Sequence, residues 1–205
     1  MTPDWNKLDP GTEKLALIGP ARIQPLPALD MPQLAIDGGS RFAVRPLLWA
    51  GDGDSGKAPT GVPAFNKLSQ DMTDLRFCLD HIHAWRWREL HLFGFLGGRR
   101  DHELANFGEI HAAMKARPAF VKAVFHGEDN TAAVLFLNAG AHTLELYGTF
   151  STLVLEPASV TISGDCHYSR EKVSLHPLSG HGVSNEASGT VNISSTAPVM
   201  ILERM

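Results

Sequence analysis

The spacing of apolar positions changes twice along this chain. Leu15-Ala16-Leu17-Ile18 stops at Gly19-Pro20, Leu34-Ala35-Ile36 stops at Asp37-Gly38-Gly39, and Pro46-Leu47-Leu48-Trp49-Ala50 stops at Gly51-Asp52. Short continuous runs bounded by glycine or proline predict buried strands. Before them, residues 1–13 are polar, contain Pro and Gly, and read as a loose leader. From Asp71 the period becomes helical, with Leu75, Cys78, Leu79, Ile82 and Trp85 forming one stripe. Asp71 is the expected N-cap, and Asp74 falls in the positively polarised first turn. Leu90-His91-Leu92-Phe93 then alternates before Gly94, Gly97 and Gly98. A second helix is expected from Asp101 to about Ala116, with Leu104, Phe107, His111 and Met114 along one side and Pro118 at its end.

After Pro118 the helical period is gone. Short β-branched and aliphatic runs at 120–126, 132–137, 143–147, 150–155, 160–163, 173–175, 190–194 and 199–202 are mostly separated by Gly, Asn, Asp, Ser or Pro. That spacing predicts an antiparallel sandwich or barrel. The expectation is therefore an α/β N-terminal domain with a mostly parallel sheet over 1–118, followed by an all-β antiparallel sandwich domain over 119–205. The run at 120–126 also suits the last strand of the α/β sheet.

Composition narrows the functional classes. With 205 residues, 43% hydrophobic and 20% charged, the chain has the profile of an ordinary globular protein. A formal charge of −4 and a pI near 6.2, without a basic run, argue against a nucleic-acid binder. No apolar stretch is long enough to span a membrane, and Met1-Thr2-Pro3-Asp4-Trp5 lacks the order of a signal peptide, so a cytoplasmic place is expected. Cys78 and Cys166 fit no disulfide framework or zinc spacing, and Cys78 is expected as an inert core thiol.

The chemistry gathers where the strands end. Gly51-Asp52-Gly53-Asp54-Ser55-Gly56, Asp71-Met72-Thr73-Asp74 and Gly97-Gly98-Arg99-Arg100-Asp101-His102 each follow an apolar run and stand before or at the start of a helix-like pattern. In open α/β sheets ligands bind at such places. Two carboxylates about 4 Å apart repel by roughly 4 kcal/mol at an effective dielectric near 20. If Asp52, Asp54, Asp71, Asp74 and Asp101 converge, they require cations or hydrogen-bond donors. Oxygen-only ligands point to a hard ion such as Mg²⁺, with Arg99 and Arg100 available to phosphate oxygens. A calcium loop fails on spacing, because Gly56 and Pro63 stand where an EF-hand needs oxygen ligands. There is no P-loop and no Gly-x-Ser-x-Gly elbow. Of ten histidines, only His102, beside Asp101, is expected near the acidic site.

Taken in order, Asp37-Gly38-Gly39, Gly-Asp-x-Asp-Ser at 51–55, Asp-x-Thr-Asp at 71–74, Gly-Gly-Arg-x-Asp-His at 97–102 and Ser184-Asn185-Glu186 resemble the thiamine pyrophosphokinase family. The resemblance covers about residues 15–202. It implies a homodimer in which ATP and Mg²⁺ are held by the acidic motifs and thiamine sits in a cleft between subunits. The implied reaction moves the terminal pyrophosphoryl group of ATP to thiamine, giving thiamine diphosphate and AMP. By that likeness the catalytic carboxylates are Asp52, Asp54, Asp71, Asp74 and Asp101, with Asp52, Asp54 and Asp71 on the metal. Asp37, Gly38, Ser55, Thr73, Arg99 and His102 are implied nucleotide contacts. Tyr168, Ser184 and Asn185 are implied substrate contacts, and Asp71 and Asp101 are the candidates to take the alcohol proton.

The chain departs from the family pattern in three places. Gly164-Asp165-Cys166-His167-Tyr168 stands where the family has Gly-Leu-Lys and an aromatic residue. Gly53 replaces a large apolar residue, and Pro20, Pro25, Pro27 and Pro32 occupy a segment where the family has a helix. Two alternatives follow: a diphosphokinase acting on another small alcohol, such as a hydroxymethylpterin, or a non-catalytic thiamine- or nucleotide-binding regulator.

Overall fold

In the computed structural model, which describes residues 4–203, the first three apolar runs form β1 (Lys14–Ile18), β2 (Gln33–Ile36) and β3 (Leu48–Gly51). A short strand that the pattern does not announce, β4 (Ala64–Asn66), precedes α1 (Asp74–Ile82), β5 (Glu89–Phe93) and α2 (Arg100–Ala116). The remainder is β6 (Lys122–His126), β7 (Ala132–Leu137), β8 (Gly140–Val154), β9 (Ala158–Cys166), β10 (Arg170–Leu175), β11 (Asn185–Ser195) and β12 (Val199–Glu203).

These strands form one twelve-stranded mixed sheet in the order β10-β9-β11-β8-β12-β7-β6-β5-β1-β2-β3-β4. This corrects the expectation of an α/β domain with its own parallel sheet followed by a separate antiparallel sandwich. The chain is mostly β, and α1 and α2 are the only α-helices among the described residues. The parallel pairs β5–β1, β1–β2, β2–β3 and β3–β4 belong to the same sheet as the antiparallel strands. Which strands lie side by side is decided by pairing between segments far apart in the chain, which the local apolar pattern does not carry. The segment with Pro20, Pro25, Pro27 and Pro32 carries no helix, because proline inside one costs roughly 3 kcal/mol. Instead it lays Ile23, Leu26, Leu29 and Met31 over Ala16, Ile18 and Phe93 as an apolar cover.

By contacts the chain divides into two compact units, one of residues up to Glu109 with Ala123–Ala132, the other of Ile110–Lys122 with residues from Ala133 on. In the first unit Leu15–Ile18, Leu34–Ile36 and Leu48–Ala50 are at most 2% exposed, as strands covered on both faces should be. The described part of the expected loose leader is not loose. Residues 5–8 form a 3-10 turn, the Trp5 ring lies 4.0 Å from Phe65, and Trp85 Nε1 donates to the Trp5 carbonyl at 3.1 Å. Residues 1–3 of that segment lie outside the described residues.

Helix α1 starts later than expected. Thr73, not Asp71, is its N-cap, with Oγ1 accepting from Arg76 N–H at 3.0 Å. Thr73→Ala should therefore cost about 1 kcal/mol in a denaturant titration, whereas removal of Asp71 should leave the helix cap intact. The expected stripe on α2 holds only at its C-terminal end, for Met114 is fully buried but Leu104 is 63% exposed.

In the second unit β11 alternates, with Asn185, Ala187, Val191 and Ile193 buried. Val191 and Ile193 join Val160, Ile162, Val199 and Ile201 in one core. The two runs expected as separate strands at 143–147 and 150–155 are a single strand, β8, paired with β11 from Gly140 to Phe150.

Candidate active site

Four charged side chains gather where the first strands end and α1 begins. Asp37 follows β2, Asp52 follows β3, Lys67 follows β4, and Asp74 opens α1. Asp37 has φ 44°, a conformation that aspartate tolerates better than most residues, and it is 2% exposed. Its carboxylate accepts from the Gly53 and Ser55 N–H groups, both at 3.2 Å, and its carbonyl accepts from Trp49 Nε1 at 2.9 Å. The loop at 51–56 is therefore folded around Asp37. Gly53 has φ +82°, a conformation in which a large apolar residue would be strained, and this accounts for glycine there.

Carboxylate oxygens of Asp37, Asp52 and Asp74 lie within 4.8 Å of one another. Lys67 Nζ stands 3.3 Å from Asp52 Oδ2 and 3.5 Å from Asp74 Oδ1, and donates to the Met72 carbonyl at 3.0 Å. Asp52 also accepts from the Asp54 N–H at 3.2 Å and from Gln70 Nε2 at 3.3 Å. Burial pushes the Asp52 carboxyl up, but the Asp54 N–H, Lys67 and Gln70 outweigh it and hold the group below the ordinary value. Asp74 goes the other way. Burial, with Coulomb repulsion from Asp52 and Asp37, raises it to about 6 against the pull of Lys67.

These residues fit a hard divalent cation. The donors are all carboxylate oxygens, and three carboxylates with one ammonium leave a formal charge of −2. Asp74 Oδ1 is buried, and among the described residues no hydrogen-bond donor satisfies it; the Lys67 contact is an ion pair without hydrogen-bond geometry. A buried anionic oxygen left in that state is costly unless a cation meets it.

The other expected residues are placed differently. Asp54 is exposed, and its Oδ1 accepts from the Ser55 hydroxyl at 2.7 Å. Asp71 is exposed and accepts from the Ser69 hydroxyl at 3.0 Å. Of the metal set implied by resemblance, only Asp52 is in the triad, and Asp37 and Asp74 complete it. Asp101 pairs with Arg99, whose Nε donates to Oδ1 at 3.1 Å, and both are exposed. Thr73 Oγ1 caps α1 and donates to Glu109 Oε1 at 3.3 Å. Gly38 lies buried beside Asp37, and His102 is exposed in the first turn of α2.

In the second unit a small pocket is lined in part by Tyr168, Arg170, His181, Val183 and Asn185. Asn185 is 5% exposed, and its amide spans the turn at residue 168: Oδ1 accepts from the Tyr168 and Glu186 N–H groups, and Nδ2 donates to the Tyr168 carbonyl, each at 2.9 Å. It sets the position of Tyr168, which is half exposed. Ser184 has φ 61° and donates its N–H to Ser151 Oγ at 3.1 Å.

No protein-family model matches the chain, and no curated protein matches its sequence. Solved structures do. A thiamine pyrophosphokinase from Bacillus subtilis is similar with a TM-score of 0.76 at 17% identity, over 93% of this chain and 98% of that one. A thiamin pyrophosphokinase from Geobacillus thermodenitrificans gives 0.73 at 19% identity, over 94% and 98%. One from Candida albicans gives 0.69 at 15% identity, over 92% and 88%. Across nearly its whole length, this chain has the fold of thiamine pyrophosphokinases of known structure.

Proposed function

We propose that this chain transfers the pyrophosphoryl group of ATP to the hydroxyl of thiamine, giving thiamine diphosphate and AMP. The observation that carries this reading is the convergence of Asp37 and Asp52, at strand ends, with Asp74, at the start of α1, in a fold whose solved neighbours include thiamine pyrophosphokinases. The three carboxylates would hold Mg²⁺. A divalent ion there supplies positive charge to phosphoryl oxygens as charge builds on the departing AMP.

The chain's own residues do the positioning in this account. Asp37 fixes the 51–56 loop while contributing to the triad. Gly38, Ser55, Thr73 and His102 are assigned to the nucleotide, with Asp54 on the acidic rim. Arg99 exchanges its exposed partner Asp101 for phosphate oxygens, which guanidinium forks match in pairs. Asp71 and Asp101 are the two assignments for the acceptor's proton. In the second unit Asn185 holds the turn that presents the Tyr168 ring to the acceptor, and Ser184 and Asn185 are assigned to the acceptor with it. The same reading makes the protein a cytoplasmic homodimer, which light scattering on the purified chain checks for assembly.

A second reading has one observation behind it. Arg170 lines the pocket with Tyr168, and a guanidinium repels a cationic thiazolium, so a neutral acceptor such as a hydroxymethylpterin is favoured there. Incubation with ATP and Mg²⁺ and either acceptor separates the two. Thiamine-dependent AMP release, abolished by EDTA, is the expected result; pterin-dependent release favours the second reading, and ADP as the product contradicts both.

A further inference from the structure

Lys67 is the only buried lysine or arginine among the described residues, with its side chain 4% exposed. A lysine withdrawn from water keeps its charge only where anions and acceptors surround the ammonium. Here they do. Nζ donates to the Met72 carbonyl at 3.0 Å and forms ion pairs with Asp52 Oδ2 at 3.3 Å and Asp74 Oδ1 at 3.5 Å. The contact to Met72 also closes the loop between β4 and α1, so one side chain ties together both carboxylates and the segment that delivers the second of them.

Resting on the reading of the triad as a cation site, we propose that Lys67 is its resident counter-cation. It holds Asp52 and Asp74 together before any divalent ion arrives, and it lowers the charge of the site so that one divalent ion completes it. Lys67 is thus a positioning residue, acting through the carboxylates. Without the ammonium, three carboxylates within 4.8 Å keep no buried cation among them, and the site depends on an added one.

The test uses the full chain and Mn²⁺ as the probe, read by electron paramagnetic resonance, with melting followed in parallel. The wild-type chain is expected to bind one Mn²⁺ and to gain only a few degrees in melting temperature from millimolar Mg²⁺, less than the variant gains. Lys67→Met should lower the melting temperature of the cation-free protein by roughly 10 °C. Millimolar Mg²⁺ should restore most of that loss, and Mn²⁺ should bind about tenfold more tightly, since a nearby positive charge is gone. The double variant Lys67→Met with Asp74→Asn returns the site to its original charge and should regain stability without any ion. If the single variant does not fold, the double variant decides, its recovery supporting the proposal and its failure overturning it. A single variant with wild-type melting and unchanged Mn²⁺ affinity also overturns it. None of these readouts requires turnover, so a chain that behaves as expected here yet releases no AMP contradicts only the proposed reaction.

Discussion

Replacing Asp74 by asparagine is expected to raise the melting temperature of the cation-free protein at pH 7 and to lower pyrophosphoryl transfer on the order of 10³-fold. The two effects have one origin. Burial is the main cause that raises the Asp74 carboxyl from 3.8 to about 6, with repulsion from Asp52 and Asp37 added. Between those values the folded chain holds a proton that the unfolded chain has released. The contribution of this group to stability is therefore complete below 3.8, declines as pH rises through about 6, and is absent above it. Asparagine is neutral throughout and escapes that decline, so the stability gap between variant and wild type should widen from pH 4 to pH 7. A divalent cation competes for the same oxygen as the proton. Cation affinity in the wild type should consequently weaken about tenfold per pH unit below pH 6. Thermal melts and Mn²⁺ titrations at several pH values check both halves. A less stable variant that retains full transfer would contradict this role.

Gly39→Ala should produce the largest loss of stability of any single methyl addition near the site. A Cβ at Gly39 would stand 1.8 Å from the Ile18 carbonyl oxygen and 2.5 Å from its carbon, both backbone atoms of a buried strand. No side-chain adjustment relieves that overlap, so the turn at 37–41 must move away from β1. The cost is roughly 3 kcal/mol or more, which for a chain of this size lowers melting on the order of 10 °C. Because Asp37 is two residues away and anchors the 51–56 loop, cation binding should weaken in the same variant. Gly108→Ala is the control. It lies exposed on α2 with nothing within 4 Å of a new Cβ, and should be neutral or stabilising by up to about 1 kcal/mol. Equal melting of the two variants would contradict the packing described here.

The elements that sequence made visible are those with a local signature. Leu15–Ile18, Leu34–Ile36 and Leu48–Ala50 are continuous apolar runs closed by breakers, and all three are strands. The stripe from Leu75 to Ile82 is a helix because its buried positions repeat at three and four. Strand adjacency has no such signature. β5 lies beside β6 and β12 beside β7, partners separated by long stretches of chain, and one sheet runs through them where two were expected.

The site follows the same rule. Asp52 and Asp74 stood out in acidic motifs, whereas the convergence of Asp37 with them depends on β2 and β3 lying side by side. Lys67 was hidden for a stronger reason. Its place beside Asp52 depends on β4, three residues long and without periodicity, pairing in parallel with β3. The helix cap turned on two residues: Asp71 and Thr73 both cap well, and only backbone geometry chooses Thr73.

The most direct test of the proposed reaction follows the phosphorus atoms themselves. The full-length chain is incubated with thiamine, Mg²⁺ and ATP labelled at its β-phosphorus, and the products are separated. The label is expected to move to thiamine diphosphate in equal amount with unlabelled AMP, and thiamine monophosphate is not expected to accumulate. Label retained in ADP, or released as free pyrophosphate with thiamine left unmodified, would contradict the proposed reaction.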